Sequence, residues 1–247
     1  MATRLAVLSD VHGNLAALEA ALGEVERARP DLIAVAGDLA LNGPEPQAVV
    51  ERIRRLEQQG AVVVQGNTDI AVVDFDFAAA FPWMPEVPES FRAAAEWANE
   101  QLDADGLDWL RRLPAERRLV LAETMVLVCH ASPGSQTAGF LTNLDPAVVV
   151  EMVGRTDARV ICCGHTHVPE VRDLGWKVIA NDGSCGYAFD GDPSASWALI
   201  EIEGDEVRAT IQRTAYDAGA AADAISRRGL PGDVYRAATV RSGRLIR

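Results

Sequence analysis

Histidine is scarce in this chain, four residues in 247. No stretch approaches 18 consecutive apolar residues, so no membrane-spanning helix is expected. The opening MATRLAVLSD enters a short strand directly, without the apolar core or cleavage site of a secretory signal. The four cysteines, Cys129, Cys162, Cys163 and Cys185, show no CxxC spacing, which argues against a zinc site built from them. They lie in or beside predicted strand ends, the pattern of reduced, buried thiols in a cytoplasmic protein. Positive charge is also short: 23 Lys+Arg stand against 36 Asp+Glu, a net charge of −13. A surface of that sign repels polyanions, so constitutive nucleic-acid binding is not expected. A small phosphorylated substrate stays permitted, because bound divalent cations would invert the local field. There is no internal repeat and no low-complexity tract.

What is present reads as an ordinary globular chain, 49% hydrophobic and 24% charged, long enough for one large domain or two small ones. The first half alternates strand and helix: strand 4–9, a helix opening at Asn14 with Leu15, Leu18, Leu22 and Val25 on one face, strand 32–36, a helix over 46–58 with Val49, Val50, Ile53 and Leu56 inward, and strand 61–65. That order predicts a parallel sheet covered by helices. Residues 74–114 break the rhythm with Phe75, Phe77, Phe81 and Trp83 among prolines, then helices near 89–102 and 106–112. They read as a helical insertion flanking the site within a single domain 1–247. Strands follow at 117–122, 125–129, 159–162, 169–173, 176–180, 196–202 and 206–212, with helices near 145–153 and 215–228. The sequence GLPGDVYRAATVRSGRLIR then reads as a loosely held tail.

All four histidines fall where apolar strands end. His12 follows LAVLSDV, His130 follows VLVC, and His165 and His167 follow VICCG. Two other strand-like runs deliver Asp38, in LIAVAGD, and Asn67, in AVVVQGNTD. Together with Asp10 these seven residues collect at the C-terminal ends of strands, where α/β folds build sites. Divalent metals want deprotonated oxygen or neutral imidazole ligands. Asp-x-His and His-x-His each place two such groups at one strand end, and Asp38 between them is suited to bridge two ions about 3.5–4 Å apart.

The ordered motifs DVHGN, GD at 37–38, GNTD, VCH and GHTH resemble those of the calcineurin-like metallophosphoesterase superfamily, over residues 5 to about 202. ANDGSCG and DGDPSASWALIE further resemble its bacterial and archaeal phosphodiesterase-like branch. The resemblance implies a four-layer α/β/β/α sandwich of two mixed sheets flanked by helices. It implies that Asp10, His12, Asp38 and His167 hold one metal, and that Asp38, Asn67, His130 and His165 hold the second. Among these, Asp38, Asn67, His130 and His165 also count as catalytic. A hydroxide bridging the two ions would attack phosphorus. The ions would be manganese, with iron, nickel, cobalt or zinc as alternatives. A small phosphoester is the implied partner.

Several residues carry two readings. Asn14 is a helix N-cap, a phosphate contact, or both. Asp69 is a carboxylate supporting the ligands or a helix cap. The aromatic cluster at 75–83 is a packed lid or a base-stacking platform. Thr68, placed beside substrate, stands where many superfamily members carry a histidine, and threonine is no general acid at neutral pH. Gly134 and Phe189 stand where the branch often has arginine. The reading that results is a phosphodiesterase. Its alternatives are a phosphomonoesterase acting on a nucleotide or sugar phosphate, and a metal-binding scaffold with little activity.

Overall fold

In the computed structural model, which describes residues 2–247, two five-stranded sheets lie face to face. The elements in chain order are β1 (Thr3–Leu8), α1 (Leu15–Ala28), β2 (Leu32–Val35), α2 (Pro46–Gln58), β3 (Val62–Val63), α3 (Asn67–Asp74), α4 (Phe77–Ala80), α5 (Glu89–Gln101), α6 (Ala104–Arg112), β4 (Glu116–Leu121), β5 (Thr124–Cys129), α7 (Pro146–Val153), β6 (Val160–Cys163), β7 (Glu170–Asp173), β8 (Val178–Asn181), β9 (Ala195–Glu203), β10 (Glu206–Thr214), α8 (Ala218–Arg228) and α9 (Asp233–Ser242). One sheet runs β10-β9-β1-β2-β3 and the other β4-β5-β6-β8-β7.

Side-chain alternation along the strands generates the layers. In β1, Leu5 and Val7 face the second sheet, meeting Val126 and Val128 of β5 and Val160 and Cys162 of β6 in one buried cluster. Ala6 and Leu8 point the other way, onto Leu18, Leu22 and Val25 of α1 and Val49 and Ile53 of α2. On the far side, Leu127, Cys129, Ile161 and Cys163 pack under Val149, Met152 and Val153 of α7. The result is the expected α/β/β/α sandwich. All four thiols are buried and unpaired, and no helix among the described residues is long and apolar enough to cross a membrane.

The strands that matter for the site are parallel neighbours: β1 with β2 in register Leu5↔Leu32, and β5 with β6 in register Val126↔Val160. Their C-terminal ends therefore emerge side by side. The β1–β2 ladder even continues into the two loops, through Asp10 N–H to Gly37 O at 2.9 Å, His12 N–H to Asp38 O at 3.0 Å and Gly13 N–H to Leu39 O at 2.7 Å.

Two expectations need correction. Strand 61–65 shrinks to Val62–Val63, and Asn67 opens a helix, α3, instead of ending a strand. Gly66 and Asp69 supply its first turn: the Asp69 carboxylate, at the third helical position, takes the Gly66 N–H at 2.9 Å. The segment after Arg228 is not loosely held. Ala237 and Val240 of α9 pack on Ala221, Ala222 and Ile225 of α8 and on Tyr187. Within the segment read as an insertion, Ala94, Ala98 and Leu110 of α5 and α6 are buried in the same cluster as α1 and α2.

Candidate metal centre

All seven expected residues converge. Asp10, His12, Asp38 and His130 are at most 2% exposed, as is Asn67, and His167 is 5% exposed. Five of them, Asp10, His12, Asp38, His165 and His167, hold positive φ between 50° and 68°. That backbone region is sparsely populated by residues with a Cβ and persists only where surrounding contacts impose it. Here the loop ladder imposes it on the first three, and the Asp10 carboxylate accepts the His165 N–H at 2.8 Å.

Two glycines permit the close approach. A Cβ on Gly66 would stand 2.1 Å from Asp38 Oδ1, and one on Gly164 would stand 2.2 Å from Asp10 Oδ2. Each carboxylate is thus backed directly by a neighbouring loop's main chain.

The seven divide into two groups around Asp38. Asp10, His12, Asp38 and His167 offer ligand atoms all within 4.8 Å of one another. His12 Nε2 is 3.2 Å from His167 Nε2, 3.7 Å from Asp10 Oδ1 and 3.6 Å from Asp38 Oδ2, and His167 Nε2 is 3.0 Å from Asp10 Oδ1. On the other side, His130 Nε2 is 3.4 Å from Asp38 Oδ1, 2.9 Å from Asn67 Oδ1 and 3.1 Å from His165 Nδ1, and His165 Nδ1 is 3.0 Å from Asn67 Oδ1. The two oxygens of Asp38 therefore face different groups.

The outer contacts fix the imidazoles. His12 Nδ1 donates to Leu41 O at 3.0 Å, His130 Nδ1 to Ala36 O at 2.8 Å, and His167 Nδ1 to Tyr187 O. A carbonyl can only accept, so the Nδ1 atoms carry the protons and the neutral rings turn bare Nε2 lone pairs inward. Two such lone pairs facing at 3.2 Å, with Asp10 Oδ1 3.0 Å from one of them, require a positive charge between them. A proton or a cation satisfies that requirement. The donor set of carboxylate, imidazole and amide oxygen suits a divalent transition metal, so the residues fit the group the sequence leads one to expect.

Electrostatics without a cation point the same way. Burial raises the Asp10 carboxyl, but the charge of His167 and hydrogen bonding with His12 and His167 outweigh it and hold Asp10 well below the usual range. Burial disfavours charge on His130 and His167, yet Asp38 and Asp10 beside the first, and Asp10 beside the second, raise both. His165 is lowered to about 4 by burial and by the neighbouring His130 charge. Asp69 is pushed up to about 7 by burial and by Asp38.

The two-sided residues are decided by their contacts. Asp69 fills both roles: besides capping α3 it accepts the Asp38 N–H at 3.0 Å and the Leu39 N–H at 2.8 Å, locking the Asp38 turn to α3. Asn14 is the cap of α1, accepting the Ala17 N–H at 3.2 Å, and its amide protons go to Gly186 O at 3.0 Å and Tyr216 Oη at 3.1 Å. Both amide protons are thus engaged within the fold. Thr68 gives its N–H to Asp38 Oδ1 at 2.9 Å while its buried hydroxyl has no partner. Phe189 stacks on the His167 ring, centroids 4.2 Å apart and planes within 16°.

Sequence reasoning missed Ser9, whose hydroxyl donates to Asp10 Oδ2 at 2.5 Å, and Ser184, whose hydroxyl donates to Asp10 O at 2.8 Å. It also passed over Asp182, fully buried with neither carboxylate oxygen hydrogen-bonded, and raised well above the usual range by burial and by Asp10. Asp182 directly follows β8, so the strand-end rule that found the other seven would have flagged it.

Comparison with known proteins agrees with this geometry. The metallophosphoesterase of Sphaerobacter thermophilus is 28% identical, with 98% of this chain and 100% of that one covered at a TM-score of 0.77. Protein PH1004 of Pyrococcus horikoshii shares the fold at a TM-score of 0.84, with 20% identity and 98% of each chain covered. MJ0912 of Methanocaldococcus jannaschii is 27% identical over 246 residues, 92% of this chain and 93% of its own. The model of the calcineurin-like phosphoesterase superfamily domain matches residues 3–205, which contain every residue of the two groups around Asp38. The chain belongs to the calcineurin-like phosphoesterase superfamily.

Proposed function

We propose that the chain is a phosphodiester hydrolase dependent on two divalent metals, with Asp10, His12, Asp38 and His167 holding one ion and Asp38, Asn67, His130 and His165 the other. The observation that carries this reading is Asp38, whose two oxygens face separate clusters of ligand atoms at 3.4 and 3.6 Å. When bound, two such cations neutralise charge on the phosphoryl group and lower the pKa of a nucleophilic water.

The chain's own residues prepare that chemistry. The carbonyls of Ala36, Leu41 and Tyr187 hold three imidazoles in the ligating tautomer. The Thr68 N–H and the Asp69 carboxylate orient Asp38 from two sides. Thr68 gives the leaving oxygen no proton, so an alcohol must depart without acid assistance from that position.

Preference for diesters rests on charge. Among the described residues none of the seven pairs with an arginine or lysine. Phe189 offers His167 an aromatic face where a guanidinium would hold a phosphate. A diester carries one negative charge and a monoester about two at neutral pH, and the site supplies only the metals' charge against either. The expected ions are manganese, with iron, nickel, cobalt or zinc as alternatives of similar ligand preference.

Hydrolysis of bis- and mono-p-nitrophenyl phosphate with Mn²⁺ added tests the reading. Faster turnover of the diester is expected. A faster monoester makes the chain a phosphomonoesterase, and bound metal without turnover of either makes it a scaffold.

A further inference from the structure

The four aromatic residues at 75–83 do not share one role. Phe81 is 3% exposed and Phe77 packs against the same core, while Trp83 is 51% exposed and its ring centroid lies 6.0 Å from that of His165, planes at 70°. The indole is nonetheless held. Its other neighbour is Phe81, edge-on at 5.9 Å and 80°, and Phe81 is braced in turn by Phe91 at 5.4 Å and 74°. A braced, half-exposed indole beside a ligand histidine leaves aromatic surface open to a flat partner. At the other ligand group Phe189 adds a second aromatic surface. The chain's net charge of −13, and the absence among the described residues of an arginine or lysine paired with any of the seven, disfavour a second anionic group in the substrate.

We propose that Trp83 is a stacking platform for the organic half of the substrate, which is therefore a phosphodiester carrying a planar aromatic ring, a nucleobase or an aryl group. This rests on the phosphodiesterase reading above and adds to it the substrate class. Stacking is sequence-tolerant, because every base has a π-face, and adds binding without altering the departure of the leaving group.

The test uses the Mn²⁺-loaded chain and three diesters: the methyl ester of thymidine 5′-phosphate, the same diester lacking the base, and methyl 2-phenylethyl phosphate. In Trp83→Leu the KM for ring-bearing diesters should rise roughly fivefold to a hundredfold, with kcat and the KM of the base-free diester little changed. Trp83→Phe should recover most of the loss. A KM gain confined to the thymidine diester identifies a nucleobase, and one confined to the phenylethyl diester an aryl group. Equal KM changes for all three diesters, or no change, overturn the proposal. Quenching of tryptophan fluorescence by thymidine 5′-phosphate, at fixed Mn²⁺, reads the platform without turnover. It should be present in the native chain and absent in Trp83→Phe. If no ester is hydrolysed but that quenching difference is seen, the activity reading falls and the platform stands. Quenching that persists in Trp83→Phe rejects the platform.

Discussion

Asp38 combines three demands on one residue: a left-handed backbone at φ 58°, a side chain between two imidazole groups, and a main-chain N–H held by Asp69. A left-handed non-glycine residue costs about 1–3 kcal/mol, so the site is assembled against local preference. Asp38→Asn keeps the size and the possibility of accepting the Thr68 N–H, but removes the charge that faces both groups. It should lower turnover by at least about a hundredfold and weaken both metals, because ligand charge near the ions carries their affinity. Metal content by mass spectrometry and kcat on bis-p-nitrophenyl phosphate check this. Two tightly bound ions with near-native turnover would remove Asp38 from the bridging position. At this scale the sequence was informative for a chemical reason: few residue types ligate metals, and here they follow apolar strands. Asn14 carried two readings because an asparagine before a helix offers the same amide to a cap and to a phosphate; the structure shows the cap. Ser9 and Ser184 were invisible because a serine hydroxyl acquires meaning only from the carboxylate or carbonyl it reaches.

Helices α3 and α9 were the elements hardest to read. For α3 the apolar run AVVVQ resembled a long strand, but the Gly66 turn ends it early so that Asn67 and Thr68 can open the helix beside Asp38. For α9 the sequence GLPGDVYRAATVRSGRLIR read as a loosely held tail. In the fold two arginines tie it in. Arg228 and Arg236 both reach the buried Asp233, Arg228 donates to Gly43 O at 2.7 Å, and Arg236 donates to Asn42 Oδ1 at 3.1 Å and to Ser90 O. Residues 42–43 adjoin Leu41, whose carbonyl holds His12. The C-terminal helix pair, beyond the residues matched by the superfamily model, thus braces the site from behind. Arg236→Met should lower stability by about 1–3 kcal/mol, the cost of leaving buried polar partners unmade, since Arg228 still pairs with Asp233. It should also weaken Mn²⁺ about tenfold by loosening the Leu41–His12 contact. Urea unfolding and a metal titration on the same protein separate the two effects. Lost stability with unchanged metal affinity would confine the brace to folding.

At the scale of the molecule, the strand-helix order foretold a parallel sheet covered by helices and the family resemblance implied the sandwich, while the crossing of the chain between sheets was not legible. Long-range partners such as β1 with β9, in register Leu5↔Ile200, follow from no local signal. The whole fold nevertheless answers to the site, because buried carboxylates and histidines without a cation are a stability liability that binding relieves. At about a hundredfold excess over its dissociation constant, a metal that binds only the native state adds about 2.7 kcal/mol. For a chain of this length that shifts the melting temperature by roughly 5–10 °C.

The size of the shift should depend on pH, with a definite sign. His130 and His167 are raised in the metal-free fold, where burial opposes their charge but the Asp38 and Asp10 carboxylates overcome it. A raised histidine stabilises the fold fully below its unfolded pKa, and that stabilisation is lost as pH rises through the folded value. Metal must displace those same protons, so its affinity rises with pH over the same window. His165, lowered to about 4 by burial and the His130 charge, is already neutral there and contributes no competing proton. The metal-free melting temperature should therefore lose these two contributions as pH rises above the ordinary histidine value of about 6.5, while the Mn²⁺-dependent increment widens. Calorimetry at fixed Mn²⁺ and with a chelator across that rise measures both curves. An increment that stays constant or narrows as pH rises would mean that His130 and His167 do not exchange a proton for the metal.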